Sequence, residues 1–297
     1  MSARLAALPA LLLAACSPNA LAPPQARDTV TPEQWAATCP PDAGWDDPGP
    51  PFRIHADTYY VGTCGIAAIL ITGPDGHVLI DSGTEAGALI VADNIRRLGF
   101  RLEDIELLLM SHEHHDHTGG MAMLKELTGA RLLASRQAAL VMEAGQASAD
   151  DPQFGLNPRF PAVKVDRMLT EDGVVRLAPI LLRAIATPGH TAGALSWRWR
   201  SCAGQDCRNI VYADSLSAIS NDTYRFSDHP AFVAAFRQGL VQLAAAECDM
   251  LLTPHPSASG MNARAAARLP PDRAGCAAYA DTKLAQLEAR LAKEAGR

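Results

Sequence analysis

Four potential metal ligands fall within six residues: His112, His114, Asp116 and His117, in the run Ser111-His112-Glu113-His114-His115-Asp116-His117-Thr118-Gly119-Gly120. Such a density of imidazole and carboxylate is hard to reconcile with packing, because buried groups of this kind require partners. The apolar run at residues 106–110 precedes it and reads as a buried strand. Ligands at the C-terminal mouth of a strand suit an active site on a helix-covered sheet. His112 and His114 alternate, so both rings can point to one side of an extended segment. Asp116 and His117 follow with room for a turn and can face a second ion. Gly119 and Gly120 allow a sharp turn into the next helix. Both ligand types suit zinc. The bland alternative is a solvated polar loop.

Two further segments carry the same signature. Thr187-Pro188-Gly189-His190-Thr191-Ala192-Gly193 places His190 in a tight turn between two strands. Thr253-Pro254-His255-Pro256 places His255 just after an apolar strand. Proline and glycine restrict these loops and so fix where the imidazoles point. Either histidine alone reads as structural; with the first cluster they supply the missing ligands. The chain has no Cys-x-x-Cys pair, which argues against a thiolate zinc knuckle.

Strand and helix signals alternate along the rest of the chain. Residues 67–72 and 77–81 flank the turn Gly73-Pro74-Asp75-Gly76 and predict a hairpin. Residues 85–98 have helical spacing, stopped by Gly99. Helices are expected over 120–127, 136–144, 229–246 and 277–295, and strands over 130–134, 194–199, 210–213 and 250–253. Residues 163–185 read as several strands, and 145–161 have no periodicity. No internal domain linker or tandem repeat interrupts the pattern, so an α/β fold with helix-covered sheets is expected.

The N-terminus reads as a targeting segment. Arg4 precedes an apolar run over residues 5–15 that is too short to span a bilayer as a mature helix. Its end, Leu13-Ala14-Ala15-Cys16, resembles a bacterial lipobox, in which Cys16 is acylated and becomes the first residue. A plain signal peptide cleaved nearby is the alternative. Residues 1–16 are thus set apart as signal, 17–51 as a proline-rich linker and irregular N-terminal arm, and 52–297 as the folded domain. Export to the periplasm, with a possible lipid anchor to the outer membrane, is expected. Without Cys16 six cysteines remain: Cys39, Cys64, Cys202, Cys207, Cys248 and Cys276. An even number in an oxidising compartment suggests disulfides. Chain order makes Cys39–Cys64, Cys202–Cys207 and Cys248–Cys276 the simplest set, with buried free thiols the alternative. The net charge of −6 and 5% aromatic content, without a Lys/Arg cluster, point away from nucleic acid. A monomer acting on a small molecule is expected.

The run His112-x-His114-x-Asp116-His117, followed by His190 and His255, resembles the metallo-β-lactamase superfamily. The likeness extends from about Phe52 to the C-terminus and includes Phe52-Arg53-Ile54, Tyr59-Tyr60-Val61-Gly62-Thr63 and Leu79-Ile80-Asp81-Ser82-Gly83. It implies a four-layer αββα sandwich of two related halves, with the site at one edge. The chain is most similar to the third subclass of class B. That resemblance implies one zinc on His112, His114 and His190, and a second on Asp116, His117 and His255. Asp116 would also orient the attacking hydroxide. It implies zinc-dependent hydrolysis of β-lactams, namely penicillins, cephalosporins and carbapenems. Tyr212-Ala213-Asp214-Ser215-Leu216-Ser217-Ala218 is similar to the stretch where that subclass has serine in place of a ligand cysteine. Ser215 and Ser217 are then candidates for the substrate carboxylate, or else turn residues with local hydrogen bonds. The Cys248–Cys276 pair matches a disulfide common in that subclass. Asp214 is not assigned as a ligand; a bridging role would favour lactones, thioesters or phosphoesters. Asp81 either orients a ligand histidine or sits in a turn. His115 is expected to point away from the metals. The rivals are a secreted di-zinc hydrolase of lactones or thioesters and a non-catalytic zinc-holding lipoprotein.

Overall fold

Residues 78–80 and 107–109 are apolar without interruption, so their strands must be covered on both faces. Val78, Ile80, Leu107 and Leu109 enter one core cluster, while Leu79 and Leu108 enter another. This comes from the structure, a computed structural model that describes residues 29–169 and 173–296. The signal segment, with Cys16, lies outside the described residues.

The first sheet holds β1 (Phe52–His55), β2 (Thr58–Tyr60), β3 (Ile69–Gly73), β4 (Gly76–Ile80), β5 (Ile105–Leu109), β6 (Arg131–Ser135) and β7 (Arg167–Leu169), in chain order across the sheet. Strands β1 to β4 pair antiparallel, and β4 to β7 parallel. The turn at Pro74-Asp75 closes the β3–β4 hairpin with Gly76 at φ +122°. The second sheet holds β8 (Val174–Leu177), β9 (Ile180–Ala186), β10 (Leu195–Ala203), β11 (Asp206–Tyr212) and β12 (Met250–Leu252). It too is antiparallel until its last pair, β11–β12, which is parallel. Each half thus starts with hairpins and ends with a helical crossover.

The α-helices among the described residues are α1 (Pro32–Thr38), α2 (Glu85–Arg97), α3 (His115–Thr118), α4 (Met121–Thr128), α5 (Arg136–Ala144), α6 (Pro230–Ala244), α7 (Met261–Ala266) and α8 (Gly275–Ala295). Three apolar clusters separate the layers. One lies between the sheets, with Ile71, Val78 and Leu109 opposite Leu182, Trp197 and Tyr212. Another lies between the first sheet and α2, α4 and α5, through Val91, Ile95, Leu124 and Met142. The third lies between the second sheet and α6 and α8, through Val211, Phe236, Leu240 and Leu287. Three interlayer cores make four layers, the αββα sandwich that the resemblance implies.

The irregular arm expected before residue 52 is corrected. Thr31-Pro32-Glu33-Gln34 is a capping box with proline in the first turn: the Gln34 amide donates to Thr31 Oγ1 (3.3 Å) and the Thr31 amide to Gln34 Oε1 (2.8 Å). The helix it starts, α1, drives Trp35 wholly into the inter-sheet core, 5.4 Å from Phe52 and 5.1 Å from Tyr60 between ring centres. The cysteines stand in the pairs that chain order suggests, with Sγ–Sγ distances of 1.96 Å (Cys39, Cys64), 2.10 Å (Cys202, Cys207) and 2.02 Å (Cys248, Cys276).

Candidate metal centre

Strand β5 ends at Leu109, and His112 and His114 follow at its mouth, His114 in extended backbone. The chain then closes one helical turn, α3, which brings Asp116 and His117 around to the same side. His190 sits in the turn between β9 and β10, and His255 directly follows β12. The loops are tied together below the site. The Leu195 amide donates to the Ser111 carbonyl (2.8 Å) and the Trp197 indole to the Met110 carbonyl (2.8 Å). Glu113, buried between the two loops, accepts from Thr191 Oγ1 (2.7 Å) and the Gly193 amide (2.9 Å).

All six expected ligands meet. The ligand atoms of His112, His114 and His190 lie within 4.8 Å of one another, as do those of His112, Asp116 and His117. His255 joins the second group: its Nε2 is 3.2 Å from Asp116 Oδ2 and 3.2 Å from His117 Nε2. His117 Nε2 is 3.1 Å from Asp116 Oδ2. The first three rings stand nearly edge to face, at interplanar angles of 82°, 89° and 75°. His115 takes part in neither group among the described residues.

Partners behind the rings fix which nitrogen faces inward. His114 Nε2 lies 3.2 Å from Asp151 Oδ2, which leaves Nδ1 for the centre. His190 Nδ1 lies 3.0 Å from the Ser217 carbonyl, which leaves Nε2. His112 Nδ1 lies 3.2 Å from Ser111 Oγ, its hydrogen-bond partner, and 2.8 Å from Asp214 Oδ1, and its buried Nε2 has no hydrogen-bond partner among the described residues. Gln153 Nε2 reaches both nitrogens of His190, at 3.3 and 3.4 Å. Asp214 therefore stands behind His112, with its other oxygen accepting from the Leu216 amide (3.2 Å). Asp81 accepts from the Ser111 amide (2.6 Å), Ser111 Oγ (2.8 Å) and Tyr212 Oη (2.7 Å), and its Oδ2 stands 3.7 Å from His117 Nδ1, outside hydrogen-bond range. Its backbone is left-handed, φ +65°, which a non-glycine residue holds only when its surroundings enforce it.

Protonation matches a cation site. Burial, and then the neighbouring histidines, hold His112 and His190 well below the usual imidazole range, so both are neutral, the ligating form. Burial likewise lowers His255. Burial pushes Asp116 up, but the charge and hydrogen bond of His117 outweigh it and hold the carboxyl well below its ordinary value. Burial pushes His117 down, and Asp116 reverses this and raises it. Without metal, a proton on His117 thus balances the Asp116 charge, and a cation would displace it. An unpartnered buried imidazole nitrogen, neutral rings and an ionised carboxylate fit a divalent cation of zinc's type.

The two serines flank a second strained residue, Leu216, at φ +47°. Ser215 Oγ is buried without a partner among the described residues. Ser217 Oγ accepts from Lys283 Nζ (2.8 Å). Exposed Trp45 stands 6.2 Å from the His255 ring, and the Asn221 side chain ties down exposed Phe154 (3.0 Å) in the aperiodic loop. Asp151, Gln153 and Lys283 carry no signal in the linear sequence that links them to the ligands.

These features define a metal-centred αββα protein. The description "Metallo-beta-lactamase superfamily" matches residues 61–202. The solved metallo-β-lactamase MIM-2 is 55% identical with a TM-score of 0.86, covering 89% of this chain and 98% of that one. MIM-1 from Novosphingobium pentaromativorans is 47% identical with a TM-score of 0.86, covering 88% and 98%. MEM-A1, a subclass B3 metallo-β-lactamase from a soil metagenome, is 41% identical with a TM-score of 0.81, covering 85% and 99%. The chain belongs to the metallo-β-lactamase superfamily. It spans about half the length of the curated relatives it matches, such as the hydroxyacylglutathione hydrolase of Nitrobacter hamburgensis, 29% identical over 51% of this chain and 48% of that protein.

Proposed function

We propose that this chain hydrolyses the amide of β-lactam antibiotics, using two zinc ions, and so confers resistance. One observation carries the reading: two ligand groups meet at His112, the three rings of the first held from behind, on a chain 55% identical to MIM-2 over nearly all of that protein. His112, His114 and His190 would hold one ion, and Asp116, His117 and His255 the other. When bound, zinc supplies Lewis acidity and acidifies water so that hydroxide forms near neutral pH.

The chain's own residues do the positioning. Asp116, kept ionised by His117, would help hold the second ion and orient the attacking water. Asp151, Asp214 and the Ser217 carbonyl hold three imidazoles in place, so little reorganisation accompanies attack on the lactam carbonyl. Ser215 and Ser217 offer hydroxyls to the substrate carboxylate, and Trp45 and Phe154 offer apolar walls. The chain contains no Ser-x-x-Lys, so no serine nucleophile of that kind competes. Thioester hydrolysis is the rival reading. It would call for Asp214 between the metals, whereas Asp214 Oδ2 accepts from the Leu216 amide and Oδ1 lies 2.8 Å from Nδ1 of His112.

The test is turnover of a carbapenem and a cephalosporin by purified protein, with and without chelator and added zinc. Hydrolysis lost with chelator and restored by zinc supports the reading; a zinc-loaded protein inert toward β-lactams but active on thioesters overturns it. Zinc content of two per chain is expected. We further infer export to the periplasm, acylation of Cys16 and action as a monomer, with 52–297 as the hydrolase domain. The three close cysteine pairs support an oxidising compartment. A lipid-modified N-terminal Cys16 in mass spectra of membrane-extracted protein is expected, and soluble, unmodified protein would argue against the anchor.

A further inference from the structure

Lys283 lies on α8, well beyond the metal ligands in sequence, yet its ammonium reaches the loop that carries the substrate-binding candidates. The side chain is almost wholly buried, 7% exposed. Its Nζ donates to Ser217 Oγ (2.8 Å) and lies 5.1 Å from the centre of the Tyr279 ring one turn earlier. Among the described residues it forms no ion pair with a carboxylate. Burying an ammonium with no carboxylate in contact is costly, so a buried lysine that touches only a hydroxyl and a ring face is a place made for a negative charge that arrives from outside. Burial lowers its pKa, which Asp214 opposes.

The hydrogen bonds around Ser217 show how that charge would act. The Ser217 hydroxyl accepts from Lys283, so its single hydrogen is all it has to offer. That hydrogen now points to the Ser215 carbonyl at 3.1 Å, an oxygen that Tyr279 Oη already satisfies at 2.9 Å. It can therefore swing to an incoming anion without stranding a buried carbonyl. The Ser217 backbone carbonyl also touches His190, which sets this hydroxyl beside the first ligand group. The Cys248–Cys276 pair pins the start of α8 to the end of the second sheet, so the lysine is held in position.

We propose that Lys283 is the positioning cation of the substrate-carboxylate subsite: held against Ser217 Oγ, its ammonium fixes that hydroxyl as a donor and draws the anionic end of a β-lactam to the serine pair. The inference rests on the β-lactam reading.

The experiment compares a penicillin with its carboxylate methyl ester on the zinc-loaded protein and on Lys283→Met. The ratio of kcat/KM for acid over ester is expected to fall about tenfold, the scale of one charge-assisted hydrogen bond, with the loss carried in KM. The acid's KM should rise with ionic strength in the unsubstituted protein and much less in the variant. Adding Ser217→Ala to Lys283→Met should cost the acid little more than either change alone. If the Met variant does not melt cooperatively, Lys283→Gln, a neutral donor, carries the same comparison. An unchanged acid-to-ester ratio, or an equal loss on both substrates, overturns the lysine assignment and leaves the function standing. An unsubstituted, zinc-loaded protein that hydrolyses neither compound overturns the β-lactam reading, and this inference with it.

Discussion

Glu113 joins the loop of His112 and His114 to the turn of His190, and its buried carboxyl should make the metal-free protein pH-sensitive in a way one substitution can isolate. Burial pushes its pKa from 4.5 to about 7, against the opposing hydrogen bond from Thr191. Folded Glu113 keeps its proton up to about pH 7, whereas in the unfolded chain it is released near 4.5. The folded state binds more protons across that window, so this stability is present below about 4.5 and is lost as the pH rises through about 7. The shift corresponds to about 3 kcal/mol. Glu113→Gln imitates the protonated form: its amide oxygen accepts from the Gly193 amide and its nitrogen donates to Thr191 Oγ1. Variant and parent should match at about pH 4.5, and by pH 8 the variant should be the more stable by about 2–3 kcal/mol, or about 5–10 °C in Tm. Thermal melts of chelator-treated protein across that range measure it. Asp81, pushed up to about 6, and Asp214 slope in the same direction, but they are common to both proteins and cancel in the difference. Melting curves that stay parallel from pH 4.5 to 8 would refute the reasoning.

Three further outcomes are expected. His117→Ala should leave one tightly held zinc per chain, read by metal analysis after dialysis, because it removes a ligand from one group only. Asp214→Asn should weaken zinc binding by about 10- to 100-fold in a competition titration, since it alters the group behind His112 and not a ligand. Trp35→Ala should cost about 3–5 kcal/mol in denaturant unfolding, as it empties a fully buried site shared with Phe52 and Tyr60.

The layers and the six candidate ligands that the fold brings together were legible because their signals are local. Apolar runs such as 106–110 mark strands covered on both faces, and Gly99 and the turn at Pro74-Asp75 stop elements where the structure stops them. The ligands cluster in one loop or sit between prolines and glycines. The supporting groups were not legible because their roles exist only after folding. Asp151 and Gln153 lie in a stretch with no regular structure that folds back onto His114 and His190. Lys283 looks like one more charge on a periodic helix until α8 packs beneath Ser217. Glu113 carries no local signal of its role, since the two loops it clamps meet only after folding. Helix α1 was hidden by its proline-rich setting, although its capping box was present in the sequence.

Neither ligand group belongs to one half of the chain. His112 and His114 come from the first half and His190 from the second; Asp116 and His117 come from the first and His255 from the second. The centre is therefore a joint, complete only in molecules whose two sheets have closed on each other. Apparent zinc affinity is the intrinsic affinity scaled by the fraction of molecules so closed. Loosening the distant inter-sheet core, at Trp197 for example, would then surface first as a greater appetite for free zinc. Two variants equally active in zinc-rich medium would separate once the metal became scarce.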